Sequence, residues 1–473
     1  MKSTVQRCVI GAARKVFRVA WSGLLPAAGI ASLGMAVVGC TSAFSPVTQQ
    51  QQARTNNSNT RYTIKDLGEF GPNPAAPGGP LVVTNSGWIS SAVGVGPDWG
   101  PPEHAVLYYN GKMMDIGDPG LGGNSMGYGV NESGVAAGWA EDTAAGLSTT
   151  EDFCGFEAMG FSSSPTPCVP FVWQNSQMVA LPTLGGANGA ATEINNRGII
   201  GGYAETSSID PGCETAGAAP QQYQFKPVVW VNGAVQELPT GNDMDGVVWA
   251  VNDRGDAAGA TGSCAPFNPS SGLYLNPTHV VLWRNGAAID LGNLGQEFNN
   301  LPHGMNNLGQ VVGEAGEYDS NNHPTAHAFL ASPGTKMQDL GVVGNDDYSF
   351  GLSINDAGEI VGVSASASFS VVRAFIRQNG KLVDLNTLVT GSNSLYLLTA
   401  CFINSKGEII GIALDSTFAE HAYLATPVSG TTASASTVDK PVVLPAWVKK
   451  QFGFVLAQLR RTRPASASNS RRS

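Results

Sequence analysis

Apolar and polar residues alternate with a period of two over short stretches of this chain, and the stretches come in fours. Residues 350–355 alternate and run into the turn Asn355-Asp356-Ala357-Gly358. Residues 359–363 form a second run, 373–378 a third and 381–385 a fourth. A period of two marks a strand with one face buried. Between the third and fourth runs stands Asn379-Gly380, and the same pair recurs at Asn110-Gly111, Asn232-Gly233 and Asn285-Gly286. Such a pair between two strands signals a two-residue hairpin of the mirror-image type. Gly358 closes the first turn because glycine adopts the left-handed backbone without steric cost. The pattern predicts four antiparallel strands in each unit.

The unit itself repeats. "INDAGEIVGV" at residues 354–363 is matched 49 residues later by "INSKGEIIGI" at 403–412 and 49 residues earlier by "MNNLGQVVGE" at 305–314. Further copies begin at Val130, Ile194 and Val251, and a degenerate one at Val83 has Thr84 in place of asparagine, seven in all. Self-similarity near fifty residues means a propeller or a solenoid, and four antiparallel strands per repeat make a propeller blade. Residues 62–68 read as a fourth strand lacking its first three, and 421–424 as a third strand lacking its fourth. The expected fold is therefore an all-β, seven-bladed propeller closed by the N-terminal strand completing the last blade, which removes two sheet edges. An open solenoid would instead need polar caps at its ends.

Composition agrees, with only 13% charged residues and 59 glycines in 473. The net charge of −10 disfavours non-specific nucleic-acid binding. Residues 1–40 read as an export signal, with Lys2, Arg7, Arg14, Lys15 and Arg18 ahead of an uncharged apolar stretch. The signal ends in Val37-Val38-Gly39-Cys40, which resembles a bacterial lipobox; that resemblance implies lipidation of Cys40 and, with Thr41 and Ser42 following, outer-membrane delivery. Cleavage near Ala43 would instead release a secreted or periplasmic protein. Residues 41–60 form a flexible tether, 61–428 the propeller and 429–473 a linker with a basic tail. The tail interleaves apolar residues with Lys449, Lys450, Arg460, Arg461 and Arg463. That pattern suits a short helix on an anionic surface, a segment docked on the acidic propeller or a disordered tail.

"HAFL" at 327–330, "RAFI" at 373–376 and "HAYL" at 421–424, with "DLG" and "IN..G..VG", resemble the HAF family of bacterial extracellular repeats. The resemblance covers residues 62–426 and implies secretion and a β-repeat fold. It carries no reaction and no catalytic residue.

Strand order places the second-to-third loops and the blade connections on one face. Blade two inserts residues 139–168 there, blade three 203–225 and blade four 260–276. Variable loops on a rigid scaffold are where recognition resides. Trp99 and Trp139, in or beside such loops, are candidates to stack on a ligand, whereas Trp173, Trp230 and Trp283 recur in third strands as core. Asp243, Asp245, Asp346 and Asp347 fall in blade connections on this face. They offer oxygen ligands of the type calcium takes, or a carboxylate pair for glycan cleavage, or solvated turns. Cysteines 154, 168, 213 and 264 are expected as Cys154–Cys168 and Cys213–Cys264 disulfides in an oxidising envelope, leaving Cys401 a buried thiol. The spacing does not suit a zinc site. His104, His279, His327 and His421 share one repeat position and so a structural role; His303 and His323 lie off it. Gly123-Asn124-Ser125-Met126-Gly127 matches a serine-nucleophile pattern but leads into a strand rather than a helix. The expectation is a non-catalytic envelope-binding propeller, anchored to the membrane by lipid and contacting a glycan or protein through blades two to four. No metal or cofactor is required. The alternative is a polysaccharide hydrolase or lyase on the same face.

Overall fold

The computed structural model of the protein describes residues 60–68, 81–95, 102–117, 123–142, 153, 166–211, 222–268, 273–295, 300–316, 326–367, 369–428 and 443–444. Within them the strands form seven four-stranded antiparallel sheets. The first strands are Val82–Val83, Ser125–Val130, Gly185–Ile194, Asp245–Val251, Leu301–Met305, Tyr348–Ile354 and Tyr396–Ile403. Each touches the first strand of the next blade, and that of blade seven touches that of blade one. The chain is a seven-bladed β-propeller with the first strands around its axis.

Closure occurs in blade seven. The N-terminal strand Arg61–Gly68 pairs antiparallel with Glu420–Val428, Arg61 opposite Val428. Tyr62 is fully buried there among Val361, Leu397 and Tyr423. Three blades share a polar clip between third and fourth strands. His104 lies 2.8 Å from Asp115, His327 3.0 Å from Asp339 and His421 2.9 Å from Asp66. Each aspartate also accepts the backbone N–H of the glycine two residues on, which is why the sequence reads Asp-x-Gly. In blade seven the clip joins the first and last strands of the propeller, 355 residues apart.

The repeated phrase builds the joints between blades. Asn131, Asn195, Asn252, Asn306, Asn355 and Asn404 are 3–6% exposed. Each side-chain oxygen accepts the backbone N–H groups two and four residues ahead, which holds its own turn. Each Nδ2 donates to the carbonyl of the equivalent residue in the next blade, at 2.6–3.4 Å, ending with Asn404 on Thr84. Thr84 cannot make the seventh link. That joint rests on Glu132, which accepts from the Asn85 and Ser86 N–H groups and the Asn85 amide, as Asp253 and Asp356 accept from the preceding blade at the same repeat position.

The second glycine of the phrase answers a different constraint. In blades two to seven the first strand carries an extra residue in its pairing. Beside this bulge, a Cβ on Gly138, Gly202, Gly259, Gly313, Gly362 or Gly411 would run into a first-strand carbonyl oxygen. The hairpin asparagines Asn110, Asn232, Asn285 and Asn379 have φ of 50–53°, as mirror-image turns require.

Asn355→Ala removes two acceptor bonds within its turn and two donor bonds, to the Asn404 carbonyl and the Glu359 carboxylate. At about 1 kcal/mol for each bond, and more for any partner left dry, the variant should lose about 2–4 kcal/mol in urea unfolding. A loss below about 1 kcal/mol would show that the ring is not the joint between blades.

Candidate functional site

The bulges of blades two to seven each set one residue of a first strand apart. They place Tyr128, Thr192, Trp249, His303, Leu352 and Cys401 at one equivalent point of the ladder, out of register with their neighbours. A bulge re-aims the side chain it carries. In blades two to four the result is an aromatic cluster. Tyr128 stacks on Trp139 with centroids 4.0 Å apart and lies 6.4 Å from Trp249. Phe153 sits 5.2 Å from Tyr203 and 6.0 Å from Phe225. All belong to one core group with Met126, Val247 and Leu275. Trp139 and Tyr203 are 1% exposed, whereas Tyr128 and Trp249 are half-buried.

This corrects the placement of Trp139. It lies within the second strand of blade two, Ala136–Glu141, and is not a loop ring free to stack from solvent. Glycine at 138 lets the strands close, and Tyr128 covers the indole. Tyr203 and Ala260 likewise lie in strands, Ile200–Ile209 and Ala257–Asn268. Much of the elaboration of blades three and four is therefore lengthened hairpin; in blade four pairing continues to Asn268 opposite Leu273. Trp99 lies outside the described residues, as do Cys40, His323, residues 1–59 and the basic segment 445–473. Trp230 and Trp283 are core as expected, each donating its indole N–H to a proline carbonyl at 2.8 Å.

The four candidate acids do not act together. Asp243 is held by Thr261 at 2.5 Å and His279 at 2.8 Å. Asp346 is held by Ser364 at 2.7 Å and Arg373 at 2.9 Å, between blades five and six. Burial pushes the Asp346 carboxyl up from its ordinary value, with Ser364 and Arg373 opposing. Asp347 is exposed and accepts the Ala367 N–H at 2.6 Å. Asp245, expected in a connection, instead opens the first strand of blade four and is fully buried. Its Oδ1 accepts the Phe225 N–H at 3.0 Å. Burial foremost, then the neighbouring Asp210 carboxyl, pushes Asp245 up to about 8, so it is protonated at neutral pH. Sequence reasoning missed Asp210, Glu193 and Glu103. Burial raises Glu193 to about 8 and Glu103 to about 7.

Asp210, Asp245 and Cys264 bring one donor atom each within 4.8 Å. Cys264 is in a disulfide rather than a free thiolate, as Cys168 separately is, so the group is not a three-ligand metal site. Cys154 and Cys213 lie outside the described residues. Cys401 is free and half-buried on the first strand of blade seven. Ser125 is fully buried, accepts the Ala105 N–H and donates to the Gly117 carbonyl, which is structural work. His303 lies 3.6 Å from Glu314 within blade five. Leu444 returns to the loop face, its N–H on the Ser370 carbonyl at 3.0 Å and its side chain buried beside Tyr348, Phe369 and Tyr396.

No protein-family model and no curated protein matches the chain. Among solved structures it is similar to a gluconolactonase from Xanthomonas campestris, at 8% identity and a TM-score of 0.31, covering 78% of this chain and 95% of that one. It is also similar to Trypanosoma rangeli sialidase, at 8% identity and 0.30, covering 64% and 54%. A glucose dehydrogenase gives 12% identity and 0.27, covering 57% and 92%. At such values the likeness extends to neither activity nor ligand.

Asp245, Glu193 and Glu103 hold protons in the folded state that the unfolded chain releases above about pH 4. Stability contributed by these groups is therefore greatest at low pH and falls as pH rises to about 8. Asp245→Asn, neutral throughout, should lose less melting temperature than wild type between pH 5 and pH 9. Parallel calorimetric curves for the two proteins would show that Asp245 is not the protonated group.

Proposed function

We propose that this is a non-catalytic binding propeller of the bacterial cell envelope, taking a glycan or an envelope protein on the loop face of blades two to four. The observation that carries this is the division of labour between faces. One face is tied down by the asparagine ring and short hairpins, while the other bears the insertions over blades two to four. Chain direction supports it. Arg61 lies opposite Val428, where the third strand ends at the hairpin face. The chain thus enters the propeller at Arg61 on the face opposite the elaborated loops, the side on which an anchor at Cys40 would leave those loops free. A lipidated or secreted member of the HAF family, with Cys154–Cys168 and Cys213–Cys264 bridging the insertions, fits this reading.

The alternative, a polysaccharide hydrolase or lyase, needs two uncommitted carboxyls across one substrate. Asp243 and Asp346 each serve a separate structural bond, which favours binding.

The test compares the mature chain with a variant whose residues 143–165 are replaced by a short Gly-Ser linker, both incubated with purified envelope polysaccharide. Retention by wild type but not by the variant is the expected result. Release of oligosaccharide fragments, abolished in Asp243→Asn or Asp346→Asn, would make the protein an enzyme. Retention by neither leaves the envelope-protein branch of the reading.

A further inference from the structure

Inside the aromatic cluster of blades two to four, three hydrogen-bond donors have no acceptor. Trp139 Nε1, Trp249 Nε1 and Tyr203 Oη are each closed to solvent and unpartnered. An unpaired buried donor costs about 1–3 kcal/mol, and native interiors leave few. Three in one cluster point to an occupant. Tyr128 ties them together, stacked on Trp139 at 4.0 Å and 6.4 Å from Trp249. The Tyr203 phenol is within electrostatic reach of Tyr128. Tyr128 and Trp249 are half-buried, so the cluster has an open edge.

The charged groups of the same blades are engaged or, for buried Asp245 and Glu193, held protonated. Glu141 accepts from the Asn124 backbone and amide, Glu205 from Ala187 and Asn188, and Lys226 donates to the Met244 carbonyl. What remains uncommitted is uncharged, donating and set among flat rings. That combination of apolar walls with a few convergent polar groups is what a small-molecule site requires. Its complement is a neutral ligand with an apolar face and several acceptor oxygens.

We propose that this cluster seats one uncharged sugar ring, its C–H face against Tyr128 and Trp249 and its oxygens accepting from Trp139, Trp249 and Tyr203. The proposal rests on the glycan branch of the function above and names its site and ligand class. Phe153, 2% exposed, packs beside Tyr203 with ring centroids 5.2 Å apart and so forms part of the same wall.

The experiment titrates the full chain with maltohexaose, cellohexaose, laminarihexaose and mannohexaose in a calorimeter, with hexagalacturonate as the charged comparator. Tyr203→Phe keeps the ring and removes only the donor, whereas Trp249→Phe removes the donor together with half of the indole face. Saturable binding of a neutral hexasaccharide is expected, weakened about fivefold to tenfold in each variant. Free Tyr203→Phe should melt at the wild-type temperature or above it, because an unpaired donor is gone, while Trp249→Phe is read for binding only, since trimming the indole costs packing. A lower melting temperature of Tyr203→Phe without sugar would mean that bound water satisfies this donor structurally, which overturns the proposal. Binding unchanged in both variants would also overturn it while leaving the glycan reading intact, with the sugar elsewhere on the loop face. Preference for hexagalacturonate, or no binding to millimolar concentration, overturns it too. In that last case, loss of polysaccharide retention as well would remove the glycan branch itself.

Discussion

The buried asparagine of each repeat is the interaction on which the rest of this molecule depends. Its oxygen fixes the turn of one blade while its amide nitrogen reaches the backbone of the next. An aspartate would keep the first function and lose the second, and a serine is too short to serve both. The ring is nearly dry, so each bond escapes competition from water. Where blade one lacks the asparagine, Glu132 supplies three bonds from the neighbouring blade, so the circle is not interrupted.

A circle fixed at one face frees the other. The asparagine links between blades lie at the turns of the first and second strands, away from the second-to-third connections, so those connections can vary in length and composition without breaking the links. The bulge and its facing glycine repeat in six blades, but the residue on the bulge does not. It is aromatic in blades two and four, a threonine in blade three and a histidine in blade five. One backbone device thus presents a different side chain at each station around the axis, and the aromatic group arises where large rings flank the small Thr192.

Much of this could be read along the chain. The count of blades, the antiparallel order, the hairpin asparagines with positive φ and the exchange of the N-terminal strand all follow from period and turn chemistry. The histidines were readable as structural because four share one repeat position, although their aspartate partners were not identified. The acids and Trp139 were harder. A strand and a lengthened loop look alike when glycine and alanine dominate, so Trp139 and Asp245 seemed to lie in connections when both lie in strands.

The sequence by itself determined the architecture, because the spacing of asparagine, glycine and alternating apolar residues is local and repeats. Only the tertiary structure decided the chemistry of the axis. Burial, and not composition, makes Asp245 a neutral group and gives Asp243 and Asp346 separate structural partners. The meeting of Tyr128, Trp139, Tyr203 and Trp249 joins three blades, residues more than one hundred positions apart. No local pattern encodes that meeting, since it depends on how a closed ring brings its first strands together.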